Sequence, residues 1–355
     1  MGTPLVSILV LNYNGKKFLK ECFDSIKSGN YKAIEILLID NKSTDDSVTY
    51  TKNDYPDIRI VQTHANRGYS RAYNIAFNHA RGKYVVLLNN DVRVDPDWLQ
   101  PMVDLAEKDH KIGALQPKIL SMTDPGYFEY AGASGGYIDR YGYPFLRGRI
   151  FFTIEPDEGQ YQDEQEVFWT SGAAMFLRKD AIEKSLNLDE DFVHHMEEID
   201  LCWRLHLSGF RLMVVPRSVI WHYAGATIKS DSYMKLYWNH RNNIFMMIKN
   251  LETRNLFLIL PVRMLLDFIN IFSAVLIRQN FRQSFAIISA YFWLIINLGL
   301  IFRKRRVVQQ IRAISDRQVF RLVFPGSIVF KYFILRKRTF TSLKFIQEPF
   351  IREVI

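Results

Sequence analysis

Three short runs of branched aliphatic residues stop abruptly at asparagine or aspartate: 5–12 (LVSILVLN), 34–40 (IEILLID) and 84–88 (YVVLL). Runs of this length without alternation fit strands covered on both faces, as in a parallel sheet. Helical spacing lies between them. Residues 16–28 place Phe18, Leu19, Cys22, Phe23 and Ile26 on one stripe, and residues 69–80 follow Gly68 with Ala72, Ile75, Ala76 and Ala80. Strands alternating with helices predict an α/β, Rossmann-like, mostly parallel sheet flanked by helices. Such sheets bind ligands beyond the carboxyl ends of their strands. The polar clusters Asn12-Tyr13-Asn14-Gly15, Asp40-Asn41-Lys42-Ser43 and Asn89-Asn90-Asp91 stand at those ends.

Farther on, 121–165 is rich in Gly, Tyr and acids and shows little periodicity, so an irregular excursion over the sheet is expected. A strand is predicted at 167–177, a helix at 197–208 stopped by Gly209, and two short strands at 211–215 and 218–222. Composition shifts near residue 250. Residues 256–277 are apolar but contain Arg263 and Asp267, and 284–302 carry no formal charge and run into Arg303-Lys304-Arg305-Arg306. The chain therefore divides into a catalytic domain at 1–250, with halves at about 1–120 and 121–250, and a helical, apolar and basic membrane-associating region at 251–355. A length near 20 residues suffices to cross a bilayer. Charges inside a membrane helix are costly, so shallow or interfacial association is the expectation for the first segment.

The 355 residues hold 46 Lys and Arg against 37 Asp and Glu, a net charge of +9, which calls for an anionic partner. The basic residues cluster beside apolar segments rather than in a nucleic-acid motif, so an anionic membrane surface is expected and nucleic acid is not. Two distant cysteines, Cys22 and Cys202, make no disulfide framework, and the apolar run at 5–11 has no basic region before it. Both point to the cytoplasmic face of the inner or plasma membrane, with the chain peripheral or holding one or two shallow membrane helices.

Five constellations carry chemistry. Asp40, with Asn41 and Ser43, either accepts hydrogen bonds from a nucleoside or belongs to a helix cap. Asn66-Arg67-Gly68-Tyr69-Ser70, with Asn74 one turn later, either faces an anion through its backbone amides or is an ordinary turn. Asn89-Asn90-Asp91 offers a hard oxygen ligand for Mg²⁺ or Mn²⁺. His194-His195-Met196-Glu197-Glu198-Ile199-Asp200 gathers three acids at a helix start, where they serve the macrodipole or supply a general base. Trp221-His222-Tyr223 puts an imidazole at a strand end, structural or metal-directed. A closed zinc site needs four ligands, and no Cys or His stands at that spacing. A G-x-G-x-x-G after the first strand is missing, which argues against a dinucleotide oxidoreductase. A non-catalytic nucleotide-sugar-binding or membrane-bound scaffold protein is the remaining alternative.

In this order, VSILVLNYNG, LLIDNKSTDDS, NRGYSRAYN, YVVLLNNDVRVDPDWL, TSGAAMFLRKDAIEK, MEEIDLCWRL and VIWHYAGAT resemble the family 2 glycosyltransferases of GT-A fold over about residues 5–250, within the bacterial rhamnosyltransferase-like subgroup. The resemblance implies a nucleoside-diphosphate sugar donor and a glycan or polyprenyl-linked acceptor. It places Asn12, Asp40 and Asn41 around the nucleoside, and Asn66, Gly68, Asn74 and Asn90 on the nucleotide and sugar. Trp169, Ser171 and Gly172 shape the sugar and acceptor pocket. Asp91, with His222, meets the metal, and Glu198 of the Glu197-Glu198 pair is the base of a single inverting displacement. Two departures stand out: Glu-Glu replaces the usual Glu-Asp, and the DxD element is reduced to Asn-Asn-Asp with Arg93 after it.

Overall fold

The computed structural model describes residues 2–223 and 232–345. The final four residues of VIWHYAGAT therefore lie outside the described residues. The strands are β1 (Val6–Asn12), β2 (Ile34–Asp40), β3 (Arg59–Gln62), β4 (Tyr84–Asn89), β5 (Val92–Val94), β6 (Ile112–Ser121), β7 (Gly136–Asp139), β8 (Pro144–Leu146), β9 (Arg149–Ile150), β10 (Thr153–Ile154), β11 (Gln165–Glu166), β12 (Ala174–Arg178), β13 (Arg211–His222) and β14 (Val323–Phe324). The helices are α1 (Lys16–Ser28), α2 (Ser47–Asp54), α3 (Tyr69–Phe77), α4 (Gln100–Lys108), α5 (Lys179–Lys184), α6 (Glu197–Leu207), α7 (Tyr233–Asn250), α8 (Thr253–Leu276), α9 (Phe281–Ile296), α10 (Leu298–Gln310), α11 (Asp316–Val319) and α12 (Ile328–Phe333).

The main sheet runs β11-β13-β6-β12-β4-β1-β2-β3, with β5 paired to β13. Strands β4, β1, β2 and β3 are mutually parallel, with Asn12 opposite Asp40 in register. Their central residues are buried on both faces, as unalternated runs require. Beyond β4 the sheet is mixed, because β12 runs antiparallel to both β4 and β6. Helix α1 turns Leu19, Cys22, Phe23 and Ile26 inward and forms over the expected 16–28.

Several expectations change. The stretch 121–165 is not an irregular excursion: it forms most of a second sheet, β10-β9-β8-β7-β14. Its strands are two to four residues long, too short to show a period. The expected strand at 167–177 begins only at Ala174. The expected pair at 211–215 and 218–222 is one strand, β13, whose register against β6 shifts between Val215 and Val219. Gly209, at φ +85°, follows α6 as a left-handed stop.

The C-terminal segment is woven into this body. Strand β14 pairs with β7 in parallel. Asp139 accepts hydrogen bonds from the amides of Tyr141, Tyr143 and Ile328. Residues 284–302 are not one helix: α9 and α10 meet at 74°. The break falls at Asn297, whose side chain bonds back to the Trp293 carbonyl at 2.8 Å. Among the described residues, α8 alone is one straight helix long and apolar enough to cross a bilayer.

Arg263 and Asp267 do not argue against an apolar setting for α8, because both are buried on its inward side. They pair at 3.2 Å, Tyr143 and Tyr291 donate to Asp267 at 3.2 and 2.9 Å, and Arg263 donates to the Tyr141 carbonyl at 2.9 Å. The outward side exposes Phe257, Leu258, Leu265, Phe268, Ile269 and Leu276. The basic run at 303–306 is likewise divided. Lys304 pairs with Asp189 and Asp191, and Arg305 donates to the carbonyls of Ile248 and Leu251, while Arg303 and Arg306 remain exposed.

Candidate active site

The strand ends β1, β2 and β4 converge as the polar clusters suggested. Asn12 accepts from the Asn90 amide at 2.7 Å and donates to Ser43 at 3.1 Å. Gly15 passes so close that an added Cβ would overlap the Asn90 amide. Asp40 is buried and accepts from the Ser43 amide at 3.3 Å and from Gln62 at 3.4 Å. It does not cap α2, which begins four residues beyond Ser43. Asn41 donates to Asn66 at 2.9 Å and accepts from Thr63 at 3.0 Å, and Asn66 also accepts from the Gly68 amide at 3.2 Å. These contacts bind three loops into one rim.

Gly68 joins that rim to the acidic helix. Its φ is +90°, and a Cβ there would overlap the Val193 carbonyl oxygen. Gly68→Ala therefore combines left-handed strain with a clash against backbone. We expect a stability loss of about 1–3 kcal/mol, read as a lower melting temperature, together with a larger loss of transfer than of stability, because loop 193–196 leads directly into Glu197. A variant with wild-type melting and rate contradicts the contact.

The loop before α6 is strained and braced. His195 and Met196 have φ of +67° and +71°, a costly pair for residues with side chains. Asn242, buried on α7, donates to the carbonyls of His194 and His195 at 2.8 and 2.7 Å. Ser70 donates to the Phe192 carbonyl at 3.1 Å. Glu197 and Glu198 thus start α6 in a fixed place. Burial pushes the Glu198 carboxyl up to about 7, and burial plus the neighbouring Glu198 pushes Glu197 well above the usual carboxylate range. The hydrogen bonds that Glu198 accepts from its own amide and that of Ile199 work the other way without winning. Glu198 sits against Gly172, where an added Cβ would lie 3.7 Å from its own Cβ. Tyr69 donates to the Gly172 carbonyl at 2.9 Å. Asp200, the third acid, is buried away from this opening and pairs with Arg204 at 2.9 Å and Lys249 at 3.1 Å.

The third group lies at the end of β4. The Asn89 amide donates to the Ala173 carbonyl at 3.0 Å, which places the end of β4 next to the segment whose Gly172 meets Glu198. His222 Nε2 lies 3.2 Å from Asp91 Oδ1, and Nδ1 lies 3.3 Å from Glu129 Oε1. Burial disfavours the imidazolium, but the carboxylates of Glu129 and Asp91 outweigh it and raise His222 to about 10. Glu129 was missed by sequence reasoning: it lies in 121–165, where no pattern marks one acid among many. Asn242 was missed too, and its only signal is the polar run NHRNN inside an otherwise helical segment.

Other residues singled out in the sequence have partners within the protein. The Asn74 amide exchanges hydrogen bonds with the backbone of Leu188 and donates to Glu190. Trp169 lies on Gly136 and donates to the Tyr137 carbonyl at 3.0 Å, joining the two sheets. The Ser171 amide donates to Gln116 at 2.8 Å, and its hydroxyl accepts from the Ala173 amide at 3.2 Å.

A half-parallel sheet with a polar rim on its strand ends, faced by a strained helix start carrying carboxylates, has the architecture of a GT-A glycosyltransferase. Solved structures share it. The chain matches GalNAc-T7 with UDP, GalNAc and Mn²⁺ at TM-score 0.55 and 17% identity, over 69% of this chain and 48% of that one. It matches S. aureus TarS 1–349 in complex with UDP at TM-score 0.51 and 16% identity, over 78% and 73%. Residues 7–186 match the description "Glycosyl transferase family 2", and the chain belongs to that family. It is similar to the N-acetylglucosaminyl-diphospho-decaprenol L-rhamnosyltransferase of Mycobacterium tuberculosis, 26% identical over 258 residues, 68% of this chain and 83% of that protein. It is also similar to an O-antigen biosynthesis protein of Myxococcus xanthus, 28% identical over 242 residues, 67% of this chain but only 19% of that longer protein.

Proposed function

We propose that the chain transfers a sugar, with inversion, from a nucleoside-diphosphate sugar to a hydroxyl of a glycan or lipid-linked acceptor in cell-surface polysaccharide synthesis. The observation that carries this reading is the Glu198 carboxylate, lifted toward neutrality and seated against Gly172, next to the strand end that bears Asp91. Glu198 takes the proton of the acceptor hydroxyl. That oxygen bonds to the anomeric carbon from the face opposite the diphosphate, the bond from carbon to the phosphate oxygen breaks, and the nucleoside diphosphate leaves. Asn12, Asp40, Asn41, Asn66, Gly68 and Asn90 form the donor rim in this reading, and Trp169, Ser171 and Gly172 back the sugar and acceptor side. The mycobacterial relative is named for a diphospho-decaprenol acceptor, which supports the acceptor class. The apolar outward face of α8 supports a peripheral position on the cytoplasmic membrane surface.

A divalent ion would be held by Asp91 and, once it displaces the imidazolium proton, by His222. Their facing atoms are 3.2 Å apart, close to the roughly 3 Å edge between neighbouring ligands of an octahedral ion at about 2.1 Å. Glu129 stands behind the second ring nitrogen, as a carboxylate behind a metal-bound histidine does. When bound, such an ion supplies positive charge against the leaving diphosphate. No group of three ligating side chains occurs among the described residues, so such an ion would need further oxygen ligands from the donor and from water.

The test is a thermal-shift screen with UDP-, dTDP- and GDP-sugars, with and without Mn²⁺. One donor class raises the melting temperature by mass action, and EDTA removes most of the rise. A rise indifferent to EDTA defeats the metal assignment, and no rise with any donor defeats the donor assignment.

A further inference from the structure

Two cations that share one aromatic ring have no anionic partner among the described residues. Arg149, on β9 of the small sheet, has its Nε and Nη1 shielded from solvent and without a hydrogen bond. Its guanidinium lies 4.0 Å from the centre of the Tyr130 ring. Lys235, in the first turn of α7, approaches the same ring at 5.6 Å and forms no ion pair with any described residue. The nearby carboxylate, Glu129, is turned to His222 and to the Ala131 amide. Shielded guanidinium N–H groups left without an acceptor are costly unless a ligand supplies one, and a planar fork matches phosphate oxygens.

The surroundings say what kind of ligand. Burial lowers His195 to about 4 and the Lys235 ammonium adds to the effect, so Lys235 stands beside the loop that starts the Glu197-Glu198 helix, with Arg149 on the same Tyr130 ring. Two residues before Lys235, Tyr233 packs on Phe285 with ring centres 5.8 Å apart. Phe285 belongs to the exposed apolar side of α9, which continues through Ile288, Phe292 and Ile295. An apolar face thus adjoins the start of α7, the helix that carries Lys235.

We infer that Arg149 and Lys235, gathered on Tyr130, bind the phosphate of an amphiphilic acceptor whose hydrocarbon chain runs onto the apolar side of α9. This deepens the proposed acceptor class and rests on it for the meaning of the ligand, but not for the existence of the subsite. The phosphate chemistry is shared with the donor's diphosphate, so both are measured. The probes are farnesyl diphosphate, farnesol, inorganic pyrophosphate and the free nucleotides UDP and dTDP, titrated into the full chain in detergent solution.

We expect wild type to bind farnesyl diphosphate at least tenfold more tightly than either farnesol or pyrophosphate. Arg149→Met weakens farnesyl diphosphate at least tenfold and Lys235→Met at least threefold, while nucleotide affinity stays within twofold. Variants that bind farnesyl diphosphate like wild type overturn the subsite, and so does an equal loss of nucleotide and farnesyl diphosphate, which assigns the cations to the donor. Equal wild-type binding of farnesyl diphosphate and pyrophosphate removes the hydrocarbon part. Lys235→Met, on a half-buried helix start, keeps the test decisive if Arg149→Met melts early. Because no turnover is read, a failed donor screen leaves these outcomes interpretable.

Discussion

Glu198→Gln lowers the rate of sugar transfer by about 10³-fold, within the range usual for loss of a general base, while the protein melts at the wild-type temperature or above it. The two halves of this expectation have one cause. Burial holds the Glu198 carboxyl near 7 in the folded chain, against an ordinary value of 4.5. A carboxyl whose folded pKa is raised costs the fold stability wherever the unfolded chain is ionised, that is, above about pH 4.5, and the cost is complete once pH passes 7. Glutamine keeps the shape and removes that cost, so an inactive variant that is no less stable at pH 8 separates catalysis from folding. The same shift predicts that wild-type kcat/KM climbs from pH 5 to about 7 and then levels, since the base works ionised. Burial and the neighbouring Glu198 push Glu197 well above the usual carboxylate range, and one of its buried oxygens lacks a partner among the described residues. Glu197→Gln is then mild. Initial rates and melting curves across pH test the set, and transfer by Glu198→Gln within threefold of wild type would remove the assigned base.

Asp200→Asn destabilises the protein by about 3–5 kcal/mol, although it lies two residues from that base. Asp200 is fully buried and answers Arg204, Lys249 and Asn250 together. Lys249 also pairs with Asp189, which pairs with Lys304 on α10. Removing one charge from the centre of such a network leaves buried cations uncompensated, and that is the expensive way to break it. For a chain of this size the melting temperature falls by about 10 °C. Calorimetry decides: a fall under about 2 °C shows the network to be dispensable. The contrast with Glu198→Gln is useful, since neighbouring acids on one helix start are expected to fail in opposite ways.

Three of the four parallel strands were legible because each carries its own signal, an apolar run ending at Asn12, Asp40 or Asn89, whereas β3, four residues with exposed ends, carries none. Helix α6 was legible from its periodicity and from Gly209. The small sheet was not, because strands of two to four residues are too short to show a period, and its last strand, β14, comes from a distant part of the chain. For the same reason Glu129 was invisible until β13 brought His222 to it. Asn74 looked like a ligand-facing polar residue one turn after the glycine, yet only the fold shows that loop 188–190 takes up its hydrogen bonds. Arg263 and Asp267 misled in another way: their charge was plain, but the side of α8 they occupy depends on Tyr143, Tyr291 and Asn243, none of them nearby in sequence.

Strand β14 is synthesised some 180 residues after its partner β7. Until Val323–Phe324 and the Ile328 amide have left the ribosome, β7 keeps an open edge and Asp139 lacks one of its donors. Because Trp169 rests on β7, the wall behind Gly172 waits for them too. A nascent chain therefore gains α8 and α9 before its second sheet is complete, and carries their exposed apolar sides while its catalytic half is still unfinished.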